Sequence, residues 1–321
     1  MGLLIGIDGG GTGTRGIVSD ESGNILAETT SGPCNLNTLD IGDAAARLKE
    51  IICELCKAKS KNTSVKLVVV ALAGAERKRK KNKLIELIED KLPFTVTSRV
   101  EIIPDVQAAL LGALGDDQGL VVNSGTGAIA VGQDYMGDIV RADGWGYLLG
   151  DEGSGYWIGL TAIKKVLEEK DGRGRETSLK RRVLDYYDIC EVENVIPLIY
   201  EKDKPLLVKS IAGVAPLVFE EASAEDQVAR TIVSRAGYHL GRTAKAVLDR
   251  MEYEGCPVKV VLTGGVLKST KKKPLMDSFE AELSKADPDW TYVQQKYSPE
   301  VGSLLKAGKL STGELFKPSW S

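Results

Sequence analysis

The chain has 321 residues and a formal net charge of -3, and 43% of its residues are hydrophobic. At roughly 100–200 residues per domain, this length predicts about two domains with substantial apolar cores. The near-neutral charge gives no general attraction to nucleic acid or anionic membranes, and a single histidine, His239, excludes a multi-histidine metal cage.

The longest apolar runs, such as residues 67–75, are well below the about 20 residues that a membrane span needs. The first residues lack the basic region of a signal peptide. Five cysteines without an export signal indicate reduced thiols. We therefore expect a cytoplasmic protein with no membrane or nucleic-acid partner.

The first 105 or so residues alternate between apolar strand patterns and helical spacing. Strands are predicted at 3–7, 15–19, 24–30, 65–72 and 100–103, and helices at about 44–55 and 76–92. The order β-β-β-α-β-α-β predicts a mixed sheet flanked by helices, and hence an α/β fold.

A second cycle begins near residue 120. Strands are predicted at 120–122, 128–132, 258–262 and 291–293, and helices at about 106–114, 156–169, much of 176–221, 228–251 and beyond Pro299. The pattern of strand, glycine-rich bend and strand occurs at 3–19 and again at 120–132. It predicts two related halves, each with a bend suited to phosphate.

The first bend combines Asp8 with Gly10, Gly11, Thr12 and Thr14. Glycines let backbone N–H groups approach an anion closely, and hydroxyls add donors. Asp8, at the end of the strand, is placed to hold a hydrated Mg²⁺ near the phosphates. The alternative, an ordinary hairpin turn, needs only one or two glycines, so phosphate binding is the favoured interpretation.

Two further bends have similar chemistry. They contain Ser124, Gly125, Thr126 and Gly127, and, after the strand 258–262, Gly264 and Gly265. Each alone fits an ordinary loop equally well. Three such bends in one chain favour a nucleoside triphosphate more than any single bend does.

Asp105 follows Pro104 at the end of a strand and precedes a helix. Two interpretations stay open at this point: Asp105 is the N-cap of the helix, or it is a general base that removes a proton from an attacking hydroxyl.

Asp151 and Glu152 lie among glycines, with Trp145 and Gly146 nearby. A carboxylate beside an exposed aromatic ring suits a polyol such as a sugar, whereas the alternative is an acidic pair at a helix N-terminus. Asn35 could also bind a polar ligand, although turn chemistry alone explains it.

Other features indicate packing or solvation. Cys53 and Cys56 fall within an apolar-periodic helix without a second pair, which favours packing over zinc or redox chemistry. The basic runs at 77–81 and 271–273 have no interleaved aromatic residues, so solvated helix ends are favoured over nucleic-acid binding.

Together these motifs resemble the family of N-acetylglucosamine kinases and BadF/BadG/BcrA/BcrD-type ATPases, within the actin, Hsp70 and sugar-kinase superfamily. The resemblance spans nearly the whole chain and is closest to archaeal broad-specificity hexokinases and eukaryotic N-acetylglucosamine kinase. It rests on residues 6–12, 32–35, 105, 124–127, 144–154, 263–265 and 298–302. It implies two ribonuclease-H-like (actin-like ATPase) domains, with a cleft between them. These would be 1–112 joined by a C-terminal helix at about 300–321, and a larger domain at 113–299.

The resemblance also implies an ATP-dependent sugar kinase that uses Mg²⁺ and transfers the γ-phosphoryl group to a hexose or N-acetylhexosamine, with O6 the expected acceptor. Asp8 would serve the metal, residues 124–127 the β- and γ-phosphates, and Gly264 and Gly265 the adenosine. Asp105 matches the catalytic base. The positions that match sugar contacts are Asn35, Asp105, Trp145, Gly146 and Asp151.

Some alternatives remain at this level. The chain departs from relatives at Gly13, where lysine is common, and at 71–74, where some relatives have serines, so the exact sugar stays open. A homodimer also stays open. The rival function is an ATPase activator of the BadF type; its iron–sulfur form is disfavoured because residues 122–127 contain no cysteine. A non-enzymatic nucleotide- or sugar-binding switch is the other rival.

Overall fold

The computed structural model describes residues 2–11, 13–58, 64–75, 77–90, 92, 99–200, 204–255, 257–268, 273–313 and 318. The chain forms two compact units, Met1–Asp117 with Gln294–Ser321 (unit 1) and Gln118–Val293 (unit 2). The division expected from the sequence, after residues 112 and 299, differs from this one by a few residues at each crossing.

Ten strands and eleven α-helices are described. The strands are β1 (Gly2–Gly9), β2 (Thr14–Asp20), β3 (Ile25–Ser31), β4 (Ser64–Leu72), β5 (Arg99–Pro104), β6 (Gly119–Ser124), β7 (Ala128–Gln133), β8 (Ile139–Asp143), β9 (Val258–Thr263) and β10 (Trp290–Tyr292). The helices are α1 (Ile41–Leu55), α2 (Lys78–Glu89), α3 (Asp105–Leu114), α4 (Gly155–Lys170), α5 (Leu179–Tyr187), α6 (Val195–Tyr200), α7 (Lys204–Ala212), α8 (Ala215–Ser223), α9 (Gln227–Leu248), α10 (Lys273–Leu283) and α11 (Pro299–Thr312).

The two units repeat one sheet topology. In unit 1 the order is β3-β2-β1-β4-β5, and in unit 2 it is β8-β7-β6-β9-β10. The first three strands of each order are paired antiparallel, and the remaining pairings are parallel. The predicted mixed sheets and two related halves are therefore confirmed. The first and second bends each join a central strand, β1 or β6, to its antiparallel neighbour.

Helices cover both faces of the unit 1 sheet. Ile5 and Ile7 of β1 face a core that includes Ile52 of α1, whereas Leu4 faces a second core with Leu304 of α11. A strand buried on both faces reads as a continuous apolar run, which explains why β1 has no polar alternation. Asp8 lies near the carboxyl end of this buried central strand.

Helix α1 forms because apolar residues recur at helical spacing behind a capping side chain. The Asp40 carboxylate accepts the Gly42 N–H at 2.8 Å, as an N-cap residue does. The buried face is formed by Ala44, Ala45, Leu48, Ile51, Ile52 and Leu55. Burial of this face against the sheet stabilises the helix more than its intrinsic propensity does.

In unit 2, α9 packs on β6, β7 and β8, and α4, α8 and α10 pack on α9. The long helix α9 contributes the inner face of the core through Ile232, Val233, Ala236, Leu240, Ala244, Val247 and Leu248. No helix in the described part of the chain has the length and apolar character that crossing a membrane requires.

The main element that the sequence analysis missed is β8. Its residues are only partly buried, and Arg141 and Asp143 interrupt the apolar pattern, as is common in an edge strand. The helix expected at 76–92 is shorter, Lys78–Glu89, and residues 76 and 91 lie outside the described ones. Strand β8 ends at Asp143, directly before the loop that carries Trp145, Gly146 and Asp151.

Candidate functional site

The first bend closes the β1–β2 hairpin of unit 1. The Gly10 N–H donates to the Gly13 carbonyl at 3.0 Å, and the Gly10 carbonyl accepts the Cys34 N–H at 3.0 Å. A Cβ built on Gly10 or Gly11 would lie 3.6 Å or more from its nearest neighbour. Neither glycine is therefore crowded by the atoms around it. Thr12 lies outside the described residues.

Thr14 serves the hairpin itself. Its side chain is buried, and its hydroxyl donates to the Gly32 carbonyl at 2.7 Å. The sequence analysis assigned the Thr14 hydroxyl to phosphate, but the hydroxyl donates its proton to a carbonyl of the protein. We therefore assign Thr14 a structural role.

Three carboxyl groups gather at the end of β1. Burial raises the pKa of Asp8 to about 7, with further contributions from the charges of Asp105 and Glu300, while Arg15 opposes the shift. Glu300 is brought here by α11, which packs on β1 and whose Ser303 hydroxyl donates to the Ile7 carbonyl at 2.9 Å. The cluster has more negative than positive charge, so it attracts a cation.

Asp105 is the first residue of α3. Its Oδ1 accepts the Val106 N–H at 2.9 Å, and Pro104 occupies the N-cap position. The interpretation of Asp105 as the N-cap is therefore wrong. A carboxylate in the first turn still interacts favourably with the positive end of the helix dipole.

Asn35 lies beside the first bend. Its Oδ1 accepts the Asn37 N–H at 2.8 Å, which is the turn contact that the sequence favoured. Its Nδ2 lies 3.8 Å from the position of a Cβ on Gly11. The carboxamide thus keeps its N–H₂ group beside the bend while its oxygen holds the turn.

The second bend closes the β6–β7 hairpin of unit 2 and packs against the start of α4. The Gly125 carbonyl accepts the Gly155 N–H at 2.7 Å, and the Thr126 carbonyl accepts the Tyr156 N–H at 3.3 Å. Nothing lies within 4 Å of a Cβ built on Gly125. The bend is therefore fixed by α4 on one side and open at Gly125.

Ser124 ties this bend to two other segments. Its buried hydroxyl donates to the Gly153 carbonyl at 3.0 Å, and its carbonyl accepts the Val266 N–H at 3.0 Å. The Ser124 side chain is thus occupied, like that of Thr14.

The third bend lies directly beside the second. Thr263, at the end of β9, donates its hydroxyl to Asn123 Oδ1 at 3.1 Å, and Gly265 has nothing within 4 Å of a built Cβ. Residues 265–268 form a turn, and the described part of α10 begins at Lys273.

The loop between β8 and α4 carries Trp145, Gly146 and Asp151. Asp151 Oδ1 accepts the Gly146 N–H at 3.3 Å, and Oδ2 lies 2.6 Å from the position of a Cβ on Gly127. Burial raises the pKa of Asp151, as does the nearby charge of Asp143, whereas the backbone N–H groups of Gly146 and Ala128 oppose the rise. Thus unit 2 brings the predicted sugar residue Asp151 against the second bend.

Trp145 is the exposed aromatic residue that the sequence pattern predicted. The residue is 65% exposed, and the Arg141 guanidinium lies 4.6 Å from the ring centroid. An exposed indole braced by a cation offers a flat apolar face to a ligand.

Glu300, Asp143 and the pairing of Glu152 with His239 went unassigned in the sequence analysis. His239 Nδ1 lies 2.9 Å from Glu152 Oε2, so the chain's one histidine contacts the Asp151 loop. The sequence offers one indication for Asp143, which directly precedes Gly144. Aspartate is one of the few residues other than glycine that tolerate left-handed backbone.

Among the described residues, no group of three or more His, Cys, Asp or Glu side chains is arranged to hold a metal ion. A Mg²⁺ held by one carboxylate, substrate phosphates and water requires no such cage, and the buried, charge-crowded Asp8 fits that kind of site.

A family model, that of the BadF/BadG/BcrA/BcrD ATPase family, matches residues 5–307. An N-acetylmuramic acid/N-acetylglucosamine kinase of Clostridium acetobutylicum is 31% identical over 309 residues, covering 96% of this chain and 98% of the relative. An N-acetyl-D-glucosamine kinase of Dictyostelium discoideum is 29% identical, covering 95% of this chain and 97% of the relative.

Solved structures show the same fold. A candidate N-acetylglucosamine kinase from Chromobacterium violaceum superposes with a TM-score of 0.71 at 25% identity, covering 96% of this chain and 99% of that one. A ROK family glucokinase from Streptomyces griseus, at 18% identity and a TM-score of 0.53, shares the fold. From the extent of the family match and the identity to its relatives, this chain belongs to the BadF/BadG/BcrA/BcrD ATPase family.

Proposed function

We propose that this chain is an ATP-dependent sugar kinase that transfers the γ-phosphoryl group to a hydroxyl, expected to be O6, of a hexose or N-acetylhexosamine. Relatives across nearly the full length act, by name, on N-acetylmuramic acid, N-acetylglucosamine and glucosamine. These sugars share a nitrogen at C2 of a glucose ring. That common feature makes a 2-amino or 2-acetamido hexose the first acceptor class to test.

One observation carries the proposal: the Asp151 carboxylate lies against Gly127 of the second bend. Phosphoryl transfer depends on holding donor and acceptor in contact, since the protein contributes mainly position and charge. A group suited to sugar hydroxyls and a bend suited to phosphate, fixed against each other in one unit, supply that proximity. Trp145 and Gly146, on the same loop, extend the sugar contacts.

In unit 1, Asp105 is the proposed general base. Its carboxylate would accept the proton of the attacking hydroxyl as the bond between that oxygen and the γ-phosphorus forms and the bond from the γ-phosphorus to the bridging oxygen breaks, which releases ADP. Asn35, with its N–H₂ group beside the first bend, would contact the sugar. Asp105 is the first residue of α3, where the positive end of the helix dipole interacts favourably with a carboxylate.

Asp8 is the proposed metal residue. Its crowding by Asp105 and Glu300 leaves a buried charge without full compensation, and a hydrated Mg²⁺ would supply that compensation. When bound, the ion would neutralise charge on the phosphate oxygens. The Gly10, Gly11, Gly125, Thr126 and Gly127 backbone would face the phosphates, and Gly264 with Gly265 the adenosine.

The rival, an ATPase activator without sugar phosphorylation, receives less support. The second bend contains no cysteine for an iron–sulfur cluster. A bound sugar would account for both the Asp151 carboxylate beside the second bend and the exposed Trp145 ring, whereas the activator function requires neither.

An ADP-release screen with ATP, Mg²⁺ and a panel of hexoses and 2-amino hexoses tests the proposal. Release above the blank without sugar, with at least one acceptor, is the expected result. Release that no sugar changes would support the ATPase rival, and absence of turnover together with nucleotide binding would support the switch.

A further inference from the structure

Asp143 ends strand β8 in a conformation that few side chains adopt. Its φ is +61°, in the left-handed region. A non-glycine residue is strained there, and aspartate is among the few tolerated because its short carboxylate can bond locally. Glycine would avoid the cost, so the side chain needs a compensating contact.

The compensating contacts are two hydrogen bonds to the loop between β8 and α4, residues 144–154, which carries Trp145, Gly146 and Asp151 and is called the sugar loop below. Asp143 Oδ1 accepts the Asp151 N–H at 2.8 Å, and Oδ2 accepts the Glu152 N–H at 3.2 Å. The carboxylate thus ties together the two ends of the loop 144–150. Hydrogen bonds to a charged acceptor are stronger than those between neutral groups.

The loop is shaped around this carboxylate. A Cβ on Gly150 would lie 2.2 Å from Asp143 Oδ1, so only glycine allows the approach. Asp151 itself has a φ of +57°, another left-handed residue that is not glycine. The hydrogen bond from the Asp151 N–H to Asp143 stabilises this left-handed backbone conformation. With its backbone in this conformation, Asp151 directs its carboxylate toward Gly127.

We propose that Asp143 is a positioning residue for sugar binding: its carboxylate fixes the backbone of Asp151 and Glu152 so that the Asp151 side chain is preset for the sugar. The inference rests on the proposed function of Asp151. Asp143 contacts the loop backbone and is not itself assigned a sugar contact.

The test compares Asp143→Gly with Asp143→Asn in the full chain. Glycine relieves the backbone cost but removes both acceptors, so the KM for sugar should rise about tenfold or more, which is the effect of losing about 1.4 kcal/mol. The KM for ATP should stay within about twofold. Asparagine keeps one acceptor oxygen for the Asp151 N–H and should restore part of the loss.

Asp134 provides a matched control at the other end of the β7–β8 hairpin. Its Oδ1 accepts the Met136 and Asp138 N–H groups at 3.0 and 2.8 Å. Asp134→Gly therefore removes the same kind of contact without touching the sugar loop. It should change thermal stability but not the KM for sugar.

Hydrogen exchange separates this inference from the proposed function. In Asp143→Gly, the amides of Asp151 and Glu152 should exchange faster than in the wild type, whether or not any sugar is phosphorylated. Unchanged exchange there, or a KM for sugar within about twofold of the wild type, would overturn the positioning role. A wild type inactive on every sugar would instead count against the kinase proposal.

Discussion

Asp151 Oδ2 occupies the space that a side chain on Gly127 would need, 2.6 Å from the position of its Cβ. The bend assigned to phosphate and the carboxylate assigned to sugar are therefore in direct contact within unit 2. Any atom added at Gly127 must displace Asp151.

Gly127→Ala should accordingly impair sugar binding. The methyl group would push the Asp151 carboxylate away, at a cost of about 1–3 kcal/mol, and the KM for sugar should rise. Gly125→Ala is the matched variant, because its Cβ would meet nothing within 4 Å. It should leave thermal stability unchanged and raise the KM for ATP instead. Identical effects of both variants on both substrates would contradict this division of roles.

Asp105→Asn should leave sugar and ATP binding nearly intact by calorimetry, while kcat falls by about 10² or more, because the amide cannot accept the proton. Glu101→Gln, on the preceding strand β5, serves as control. Glu101 pairs with the exposed Arg99 at 3.4 Å, so its loss should not change kcat. Unchanged turnover in Asp105→Asn would remove Asp105 from the role of base.

Asp8 should make the ligand-free protein less stable as pH rises. Its pKa is about 7 in the folded chain and 3.8 ordinarily, so the folded state binds the proton more tightly. That stabilisation is present below about pH 4 and is lost as pH rises through 7, at most about 4 kcal/mol. The melting temperature should fall between pH 5 and 8, and Asp8→Asn should flatten this dependence. An equally steep fall in Asp8→Asn would contradict the assignment.

The same titration should appear in metal binding. Mg²⁺ binds the ionised carboxylate, so protonation competes with the metal below about pH 7. The Mg²⁺ concentration for half-maximal activity should therefore increase as pH falls from 8 to 6. A requirement that is constant across this range would argue against Asp8 as the metal residue.

Thr14→Val should cost stability rather than nucleotide affinity. The hydroxyl donates to Gly32 inside unit 1, and loss of such a bond costs about 0.5–3 kcal/mol, the upper end because the Gly32 carbonyl is left without this donor. The KM for ATP should stay within about twofold. A large rise in that KM without loss of thermal stability would restore Thr14 as a phosphate contact.

Apolar periodicity was sufficient to predict both mixed sheets, since buried strands such as β1 and β4 are continuous apolar runs. It was insufficient for β8, whose pairing with β7 comes from backbone hydrogen bonds and not from buried side chains. The bends were predictable from glycine and threonine content. The partners of Thr14 and Ser124 were not, because a hydroxyl near an anion site and a hydroxyl bonded to a carbonyl read alike in sequence. The contribution of Glu300 depends on α11 returning to β1 from the far end of the chain.

Phosphorus NMR of a reaction containing the full chain, ATP, Mg²⁺ and N-acetylglucosamine or glucosamine tests the central claim most directly. The account predicts a phosphomonoester signal that correlates with the sugar H6 protons and grows in step with ADP. Growth of inorganic phosphate with ADP, and no sugar phosphate with any acceptor of the panel, would contradict it.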